Sequence, residues 1–272
     1  MPAKHHQPLS RLFIPDIQRI VVEEKIVKSI SCSTIERVLE EDALKPWRKR
    51  TWIYPRDPKF HEKALPVVNL YNGIYKGKPL GKHDFAISAD EKPGIQVLKR
   101  LHETEMGFDG RGQRIEHNYQ RLPTIAYIAA IDVFRGNVSG LINDKTGIEP
   151  FMRLVEQVMT VEPYRSARRV FWIVDNGCSH HPSTFPDRLK QRFKNAIAIM
   201  LPVHASWLNK IETYFSIVER KVLTPNDFRT RQEAPSRIKE FEKYYNSTCK
   251  PFKWDYTKTD LRNFVERIKI LD

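Results

Sequence analysis

No run of this 272-residue chain approaches the roughly 18–20 consecutive apolar residues that a membrane-spanning helix needs. The opening stretch, Met1 to Gln7, lacks the apolar core of a secretion signal. Cysteine is scarce: Cys32, Cys178 and Cys249 are far apart and form no Cys-x-x-Cys pair. That argues against a disulfide framework and suits a reducing compartment, so a cytoplasmic protein with no membrane partner is expected. Internal repeats and low-complexity tracts are missing as well, which argues against a solenoid or a disordered tail. Negative charge is also short, with 33 acidic against 46 basic side chains and a net charge of +13. A balance this far from neutral points to a polyanionic partner, and nucleic acid is the obvious one.

What is present is enough apolar material for a sizeable core: 40% hydrophobic and 11% aromatic residues, in a chain long enough for one large domain or a small one plus a medium one. It reads as two blocks joined by a connector. In the first, residues 1–50, apolar residues at helical spacing run from Ile14 to Ile30. A polar turn, Ser31-Cys32-Ser33, leads into a second helix from Thr34 to Asp42, with Ser33 as its N-cap and Glu36 completing a capping box. Helix–turn–helix is a DNA-reading arrangement. A short helix pair alone fits an ordinary helical hairpin better. The sequel tips the balance, because Lys45, Arg48, Lys49 and Arg50 follow the second helix and suit phosphate or minor-groove contact. Ser33, Thr34 and Arg37 are the candidate contacts on that helix.

Residues 51–83 are a proline-broken connector with a helix expected over 58–75. The second block, 84–250, alternates strand and helix. Strands are predicted at 84–90, 123–133, 136–143, 169–175 and 196–201, and helices at 147–162, 184–194 and 206–222. Three meandering strands followed by helix–strand–helix–strand predict an α/β fold, a mixed sheet flanked by helices on both faces. The segment 231–270 reads as helical and polar-basic, and 251–272 as a C-terminal helical tail.

Three acidic residues stand out in this frame. Asp90 and Asp175 each close an apolar strand, where ligands of α/β sheets commonly bind and where aspartate is otherwise uncommon. Glu212 lies at the edge of the apolar stripe of the 206–222 helix, which carries Trp207, Leu208, Ile211, Tyr214, Phe215, Val218 and Val222. Taken singly, Glu212 fits a solvated surface residue and either aspartate fits a turn-former. Together, three carboxylates suit a pair of divalent cations, Mg²⁺ or Mn²⁺, and the cations would relieve the repulsion between them. Asn176, His180, His204 and Asn209 are candidates for positioning substrate; Ser206 is the expected N-cap of the 206–222 helix. A zinc site built from Cys178, His180, His181 and His204 matches no closed motif and is disfavoured.

Three stretches containing these acids resemble the catalytic blocks of one family: Ile87-Ser88-Ala89-Asp90-Glu91-Lys92-Pro93-Gly94-Ile95-Gln96, Ile173-Val174-Asp175-Asn176-Gly177 and His204-Ala205-Ser206-Trp207-Leu208-Asn209-Lys210-Ile211-Glu212. The family is the DDE transposases of bacterial insertion sequences in the mariner superfamily, in the six-thirty insertion-sequence branch. Ser33 to Leu39 with Leu44-Lys45-Pro46 is similar to its second helix-turn-helix. Val222 to Phe228 and Lys250 to Trp254 are similar to its C-terminal stretches. The resemblance implies a ribonuclease-H-like core over 84–250, Asp90, Asp175 and Glu212 as metal-binding catalytic triad, and two Mg²⁺ or Mn²⁺ ions. It also implies double-stranded DNA as partner (terminal inverted repeats and target), with a homodimer on the DNA. Such enzymes cut element ends and join the freed 3′-hydroxyl to target DNA. Asp175 and Glu212 stand 36 residues apart, counting positions 176 to 211, toward the longer side for the superfamily. Family members usually carry a further helix-turn-helix ahead of the one seen here, so the first block reads as incomplete. The competing functions are an idle DNA-binding remnant acting as a repressor and a ribonuclease-H-like nuclease.

Overall fold

The computed structural model describes residues 13–41, 55, 57–102, 104–105, 107 and 112–269. The chain divides into two compact units, residues 1–54 and 55–272.

In the first unit α1 spans Ile14–Glu23 and α2 spans Cys32–Glu41. Helix α1 is shorter than the apolar spacing up to Ile30 predicts. It stops where Lys25 takes a left-handed φ of 57° and the Glu24 and Lys25 amides bond back to Ile20 and Val22. The N-cap of α2 is Ser31, not Ser33: the Ser31 hydroxyl accepts the Thr34 amide at 3.1 Å. Gln18 ties the helices together, its side-chain nitrogen donating to the Ile30 carbonyl at 2.6 Å and its oxygen accepting from Cys32. Ile20 and Ile35 are buried. Ser33 and Arg37 are exposed and Thr34 half-buried. Lys45, Arg48, Lys49 and Arg50 lie outside the described residues.

The second unit opens with α3 (Phe60–Tyr71) and a small hairpin, β1 (Ile74–Tyr75) with β2 (Lys78–Pro79). Next come β3 (Asp84–Lys99), β4 (Gln120–Asp132), β5 (Val138–Asn143), α4 (Ile148–Met159), β6 (Arg169–Val174), α5 (Phe185–Arg192) and β7 (Ala196–Met200). Helices α6 (Ile211–Lys221), α7 (Glu233–Thr248) and α8 (Lys258–Lys269) complete it. The five long strands form one mixed sheet in the order β5-β4-β3-β6-β7, antiparallel on the β4 side of β3 and parallel on the β6 side.

Strand alternation sorts the core into layers. Phe85, Ile87 and Ala89 of β3 and Val170, Trp172 and Val174 of β6 pack under α4 and α5. Ala86, Phe171 and Ile173 face the opposite side with α3 and Leu261 of α8. Further along that side, Ile125, Tyr127 and Ala129 of β4 meet Ile211, Tyr214, Phe215 and Val218 of α6 and Ile238 of α7. Helices cover both faces, as the element order predicts.

Two elements depart from expectation in ways that matter for the site. Strand β3 does not end at Asp90 but runs on to Lys99, because Gly94 (φ 62°) absorbs Pro93 in a bulge where the pairing with β4 shifts register. The expected helix over 206–222 is broken: a 3₁₀ turn at Ser206–Leu208 precedes α6, and Asn209 between them is extended (φ −85°, ψ 108°). The N-cap of α6 is Lys210, not Ser206, and its own side chain makes no capping hydrogen bond. The polar-basic segment after 231 is likewise two helices, α7 and α8, separated by a non-helical stretch.

Candidate active site

Parallel pairing brings the two aspartates together. Strands β3 and β6 pair from Asp84 with Arg169 to Ser88 with Ile173. Carried two residues further, that register sets Asp90 beside Asp175, at the point where β6 stops while β3 continues against β4. Asp90 is therefore interior to its own strand, yet at the carboxyl end of the parallel pair, where ligands gather in α/β sheets.

On β3, Ser88 and Asp90 point away from Ile87 and Ala89, toward α6. Asn209 is the joint. Its amide nitrogen donates to Asp90 Oδ2 at 2.9 Å and to the Ala89 carbonyl at 3.1 Å. Its oxygen accepts a short hydrogen bond from the Ser88 hydroxyl, which in turn accepts the Ile211 amide at 3.1 Å. All of this is buried: Ser88 is 0% and Asn209 1% exposed. The same bonds fix the start of α6, whose first turn carries Glu212. Tyr71 of α3 adds a brace from its hydroxyl to the Leu208 carbonyl at 2.8 Å.

Asp175 caps the turn after β6, accepting the Gly177 amide at 2.7 Å. His180 Nδ1 lies 3.0 Å from the Asp175 carbonyl oxygen and 3.1 Å from its Oδ1. Ligand atoms of Asp90, Asp175 and His180 all fall within 4.8 Å of one another. Burial, then the charges of Asp175 and Glu212, push the Asp90 carboxyl up to about 7. Glu212 sits at the exposed rim; partial desolvation and the Asp175 charge raise its carboxyl, and Lys92 opposes them. No lysine or arginine among the described residues forms an ion pair with Asp90 or Asp175.

Clustered hard oxygen donors, mutual repulsion and the lack of a lysine or arginine partner among the described residues suit divalent cations. On these observations Asp90, Asp175 and His180 fit such an ion; Glu212 is not among the donor atoms that fall within 4.8 Å of one another, although its charge is felt at Asp90. The sequence-derived positioning residues are more scattered. Asn209 is at the heart of the site. Asn176 fastens the turn after β6 to β7, donating to the Leu201 carbonyl at 2.9 Å. His204 is exposed in a left-handed turn (φ 58°), and no bond among the described residues joins it to the carboxylates. His180 is buried beside both aspartates.

Sequence reasoning passed over Ser88 and Gly177. The signal for Ser88 was a lone hydroxyl inside the apolar run Phe85 to Ala89. For Gly177 it was a glycine two residues after an acidic strand end. A Cβ there would lie 2.9 Å from His180 Cε1 and 3.0 Å from Asp175 Oδ1.

A mixed sheet presenting adjacent carboxylates at the end of a parallel strand pair defines an acidic, nuclease-like centre whose donor atoms suit a divalent cation. Residues 89–234 match the family described as DDE superfamily endonuclease, and the chain belongs to that family. Among solved structures, the Mos1 mariner paired-end complex with Mn is similar at 14% identity, TM-score 0.52, over 97% of this chain and 78% of that one. The Mos1 transposase paired-end complex with left transposon end is similar at 12% identity and TM-score 0.51, with the same coverage. These likenesses show the fold, a ribonuclease-H-like α/β sheet flanked by helices. No curated protein matches.

Proposed function

We propose that this chain is a transposase of the mariner superfamily, from the six-thirty branch of bacterial insertion sequences, cutting element ends and joining them to target DNA. The observation that carries the reading is the register-set approach of the buried Asp90 to the half-buried Asp175, neither paired with a lysine or arginine among the described residues, in a chain of the DDE endonuclease family. Asp90, Asp175 and Glu212 are the residues that would hold two Mg²⁺ or Mn²⁺ ions. Such ions, when bound, supply charge stabilisation for the attacking and leaving oxygens of an in-line displacement at phosphorus.

The chain's own residues do the rest. Asn209 orients Asp90 through Oδ2, and the Glu91 amide holds Oδ1, which lies 3.9 Å from His180 Nε2. The Gly177 amide holds Asp175 Oδ1. Helix α6 is anchored to β3 through Ser88, so Glu212 is set by the sheet rather than by a loop. The carboxylates need to be ionised to hold a cation, and the raised Asp90 makes cation binding release a proton near neutral pH.

Residues 1–50 supply duplex binding in this reading, with Ser33, Thr34 and Arg37 on α2 and the cations at 45 and 48–50 on phosphates; 51–83 connect, 84–250 catalyse, and 251–272 form the tail. The net charge of +13 supports a polyanionic substrate. The complexes with transposon ends in the similar structures support double-stranded DNA as that substrate. Joining two ends calls for at least two protomers, and the site of action is the bacterial cytoplasm.

The test uses a plasmid carrying the inverted repeats that flank the gene, incubated with the full chain and Mn²⁺ or Mg²⁺. Nicking at the repeats is expected. Asp90→Asn, Asp175→Asn and Glu212→Gln should each cut below about a tenth of wild type, since a lost ligand costs several kcal/mol of transition-state stabilisation at about 1.4 kcal/mol per tenfold. Gel-shift affinity should stay within about threefold. Cutting above a tenth in any variant removes that residue from the triad.

A further inference from the structure

His180 is placed unlike an ordinary core histidine. Its side chain is 1% exposed and packs against Phe151 and Phe185, ring centroids 4.7 and 6.2 Å away. A neutral imidazole has one donor and one acceptor nitrogen, and burial calls for both to be satisfied. The Asp175 carbonyl can only accept, so Nδ1, 3.0 Å from it, carries the proton. The lone pair is then on Nε2, which is buried with no hydrogen-bond partner among the described residues. It faces Asp90 Oδ1 at 3.9 Å, beyond hydrogen-bond reach. Asp90 Oδ1 accepts the Glu91 amide at 2.8 Å and keeps a second lone pair, so two electron-pair donors flank that gap.

We propose that His180 Nε2 is a metal ligand, sharing a divalent cation with Asp90 and Asp175, and that this nitrogen biases the site toward Mn²⁺ over Mg²⁺. The inference rests on the endonuclease reading above and adds a nitrogen donor to a centre otherwise made of carboxylates. Three observations converge on it. The donor atoms of Asp90, Asp175 and His180 lie within 4.8 Å of one another. Donors around one six-coordinate ion, each about 2.1 Å from it, are about 3 to 4 Å apart, and the 3.9 Å between Nε2 and Oδ1 falls in that range.

The second is the far side of the ring. A ligating histidine donates its other N–H to a carbonyl or carboxylate, which fixes the tautomer and sharpens the ligand. Asp175 offers both, its carbonyl at 3.0 Å and its Oδ1 at 3.1 Å. The third is the close backbone: any Cβ at Gly177 would collide with the ring and with Asp175 Oδ1. The ring is thus held in one orientation on every side except the one facing Asp90. Mg²⁺ favours oxygen and retained water, whereas imidazole gains affinity along the first-row series, so the nitrogen favours Mn²⁺.

The experiment reads metal binding, not turnover. Mn²⁺ is added to the full chain and its electron spin-echo modulation recorded. Wild type should show ¹⁴N coupling that changes to a ¹⁵N pattern when the histidines are ¹⁵N-labelled. His180→Gln should lose the coupling, weaken Mn²⁺ binding about tenfold or more and change Mg²⁺ binding by less than about threefold. A purely packing role would weaken both ions alike and overturn the proposal. Should the glutamine variant not fold, the labelled wild type decides alone: bound Mn²⁺ with no nitrogen coupling overturns it. In that event Mn²⁺ lost on Asp90→Asn leaves the endonuclease reading standing. Mn²⁺ binding indifferent to Asp90→Asn and Asp175→Asn overturns both readings.

Discussion

Asn209→Asp probes the site with a change of almost no volume. In the native protein the Asn209 amide nitrogen donates to Asp90 Oδ2 at 2.9 Å and to the Ala89 carbonyl at 3.1 Å. A carboxylate oxygen in that place turns two hydrogen bonds into two acceptor–acceptor contacts, one of them between like charges. Lost buried hydrogen bonds cost about 1–3 kcal/mol each, so about 2 kcal/mol is the least expected at pH 8, before the like-charge contact adds to it. A proton shared between the introduced carboxyl and Asp90 would restore one bond. The folded state then holds a proton that the unfolded chain, with ordinary carboxyls near 4, has released. Its pKa is raised on folding, so the stabilisation is full below about pH 4 and lost as pH rises through the folded value. The slope is about 1.4 kcal/mol per pH unit for one proton. Urea unfolding of the metal-free chain at pH 5.5 and 8, each against wild type, measures this. Asn209→Asp should be markedly closer to wild type at the lower pH, and Asn209→Ala should show no comparable pH dependence. A variant within about 1 kcal/mol of wild type at pH 8 would refute the placement of Asn209 between Asp90 and Ser88.

Further outcomes follow from the same geometry. Wild-type Asp90 is itself raised to about 7 by burial and by the Asp175 and Glu212 charges, so the metal-free protein should lose stability as pH rises from about 4 to 7. Saturating Mn²⁺ should flatten that decline, as thermal melts across the range would show; an unchanged slope would count against cation binding at Asp90. Gly177→Ala places a methyl group 2.9 Å from His180 Cε1, and isothermal titration should find Mn²⁺ affinity reduced at least tenfold with the melting temperature lowered by only a few degrees. Asp84, buried and bonded to Arg168 and Arg169, is held well below the usual carboxylate range by those two partners. Its contribution is present above about pH 4 and lost on acidification below it. Asp84→Asn should cost about 2–3 kcal/mol at pH 7 in denaturant melts, less as the pH approaches 3.

The fold was readable because its signals are local. The apolar stretch Thr124 to Ile131 is buried strand from Ile125 on, and the order of elements dictates a mixed sheet with helices on both faces. Boundaries failed where a distant contact decides them. Nothing within Ile14 to Ile30 says that the chain turns at Lys25, and Ser31 and Ser33 are equally good caps until Thr34 is seen bonding to one of them. The strand predicted over 84–90 stops short of Pro93 and Gly94. They form a bulge because β4 continues alongside and pairs again from Ile95. At the site, the three acids were visible as charge among apolar neighbours. The register that sets Asp90 beside Asp175 was not, because the offset between β3 and β6 belongs to neither strand. The lone pair of His180 is hidden for the same reason: its tautomer depends on a carbonyl five residues back and on two phenylalanines from α4 and α5.

What holds the carboxylates together against their repulsion can be judged by size. The raised Asp90 corresponds to a penalty of order 4 kcal/mol at a pH where it is ionised, the largest part of it from burial and the rest from the Asp175 and Glu212 charges. Against it stands α6, whose Ile211, Tyr214, Phe215 and Val218 are buried; Ile211, Phe215 and Val218 alone contribute on the order of 5–9 kcal/mol. Packing therefore wins, and it places Glu212 near the aspartates whether or not that suits its charge. The penalty stays in the folded protein until a cation, or a proton on Asp90, removes it. Substitutions that loosen α6, such as Val218→Ala at about 1–3 kcal/mol, should consequently weaken Mn²⁺ binding while relaxing the raised Asp90, two effects that a simple loss of fold would not produce together. Titration of the metal-free variant by ¹³C-carboxyl NMR reads the second effect directly, and an Asp90 midpoint unmoved in a folded variant would show that α6 does not set the charge at the site.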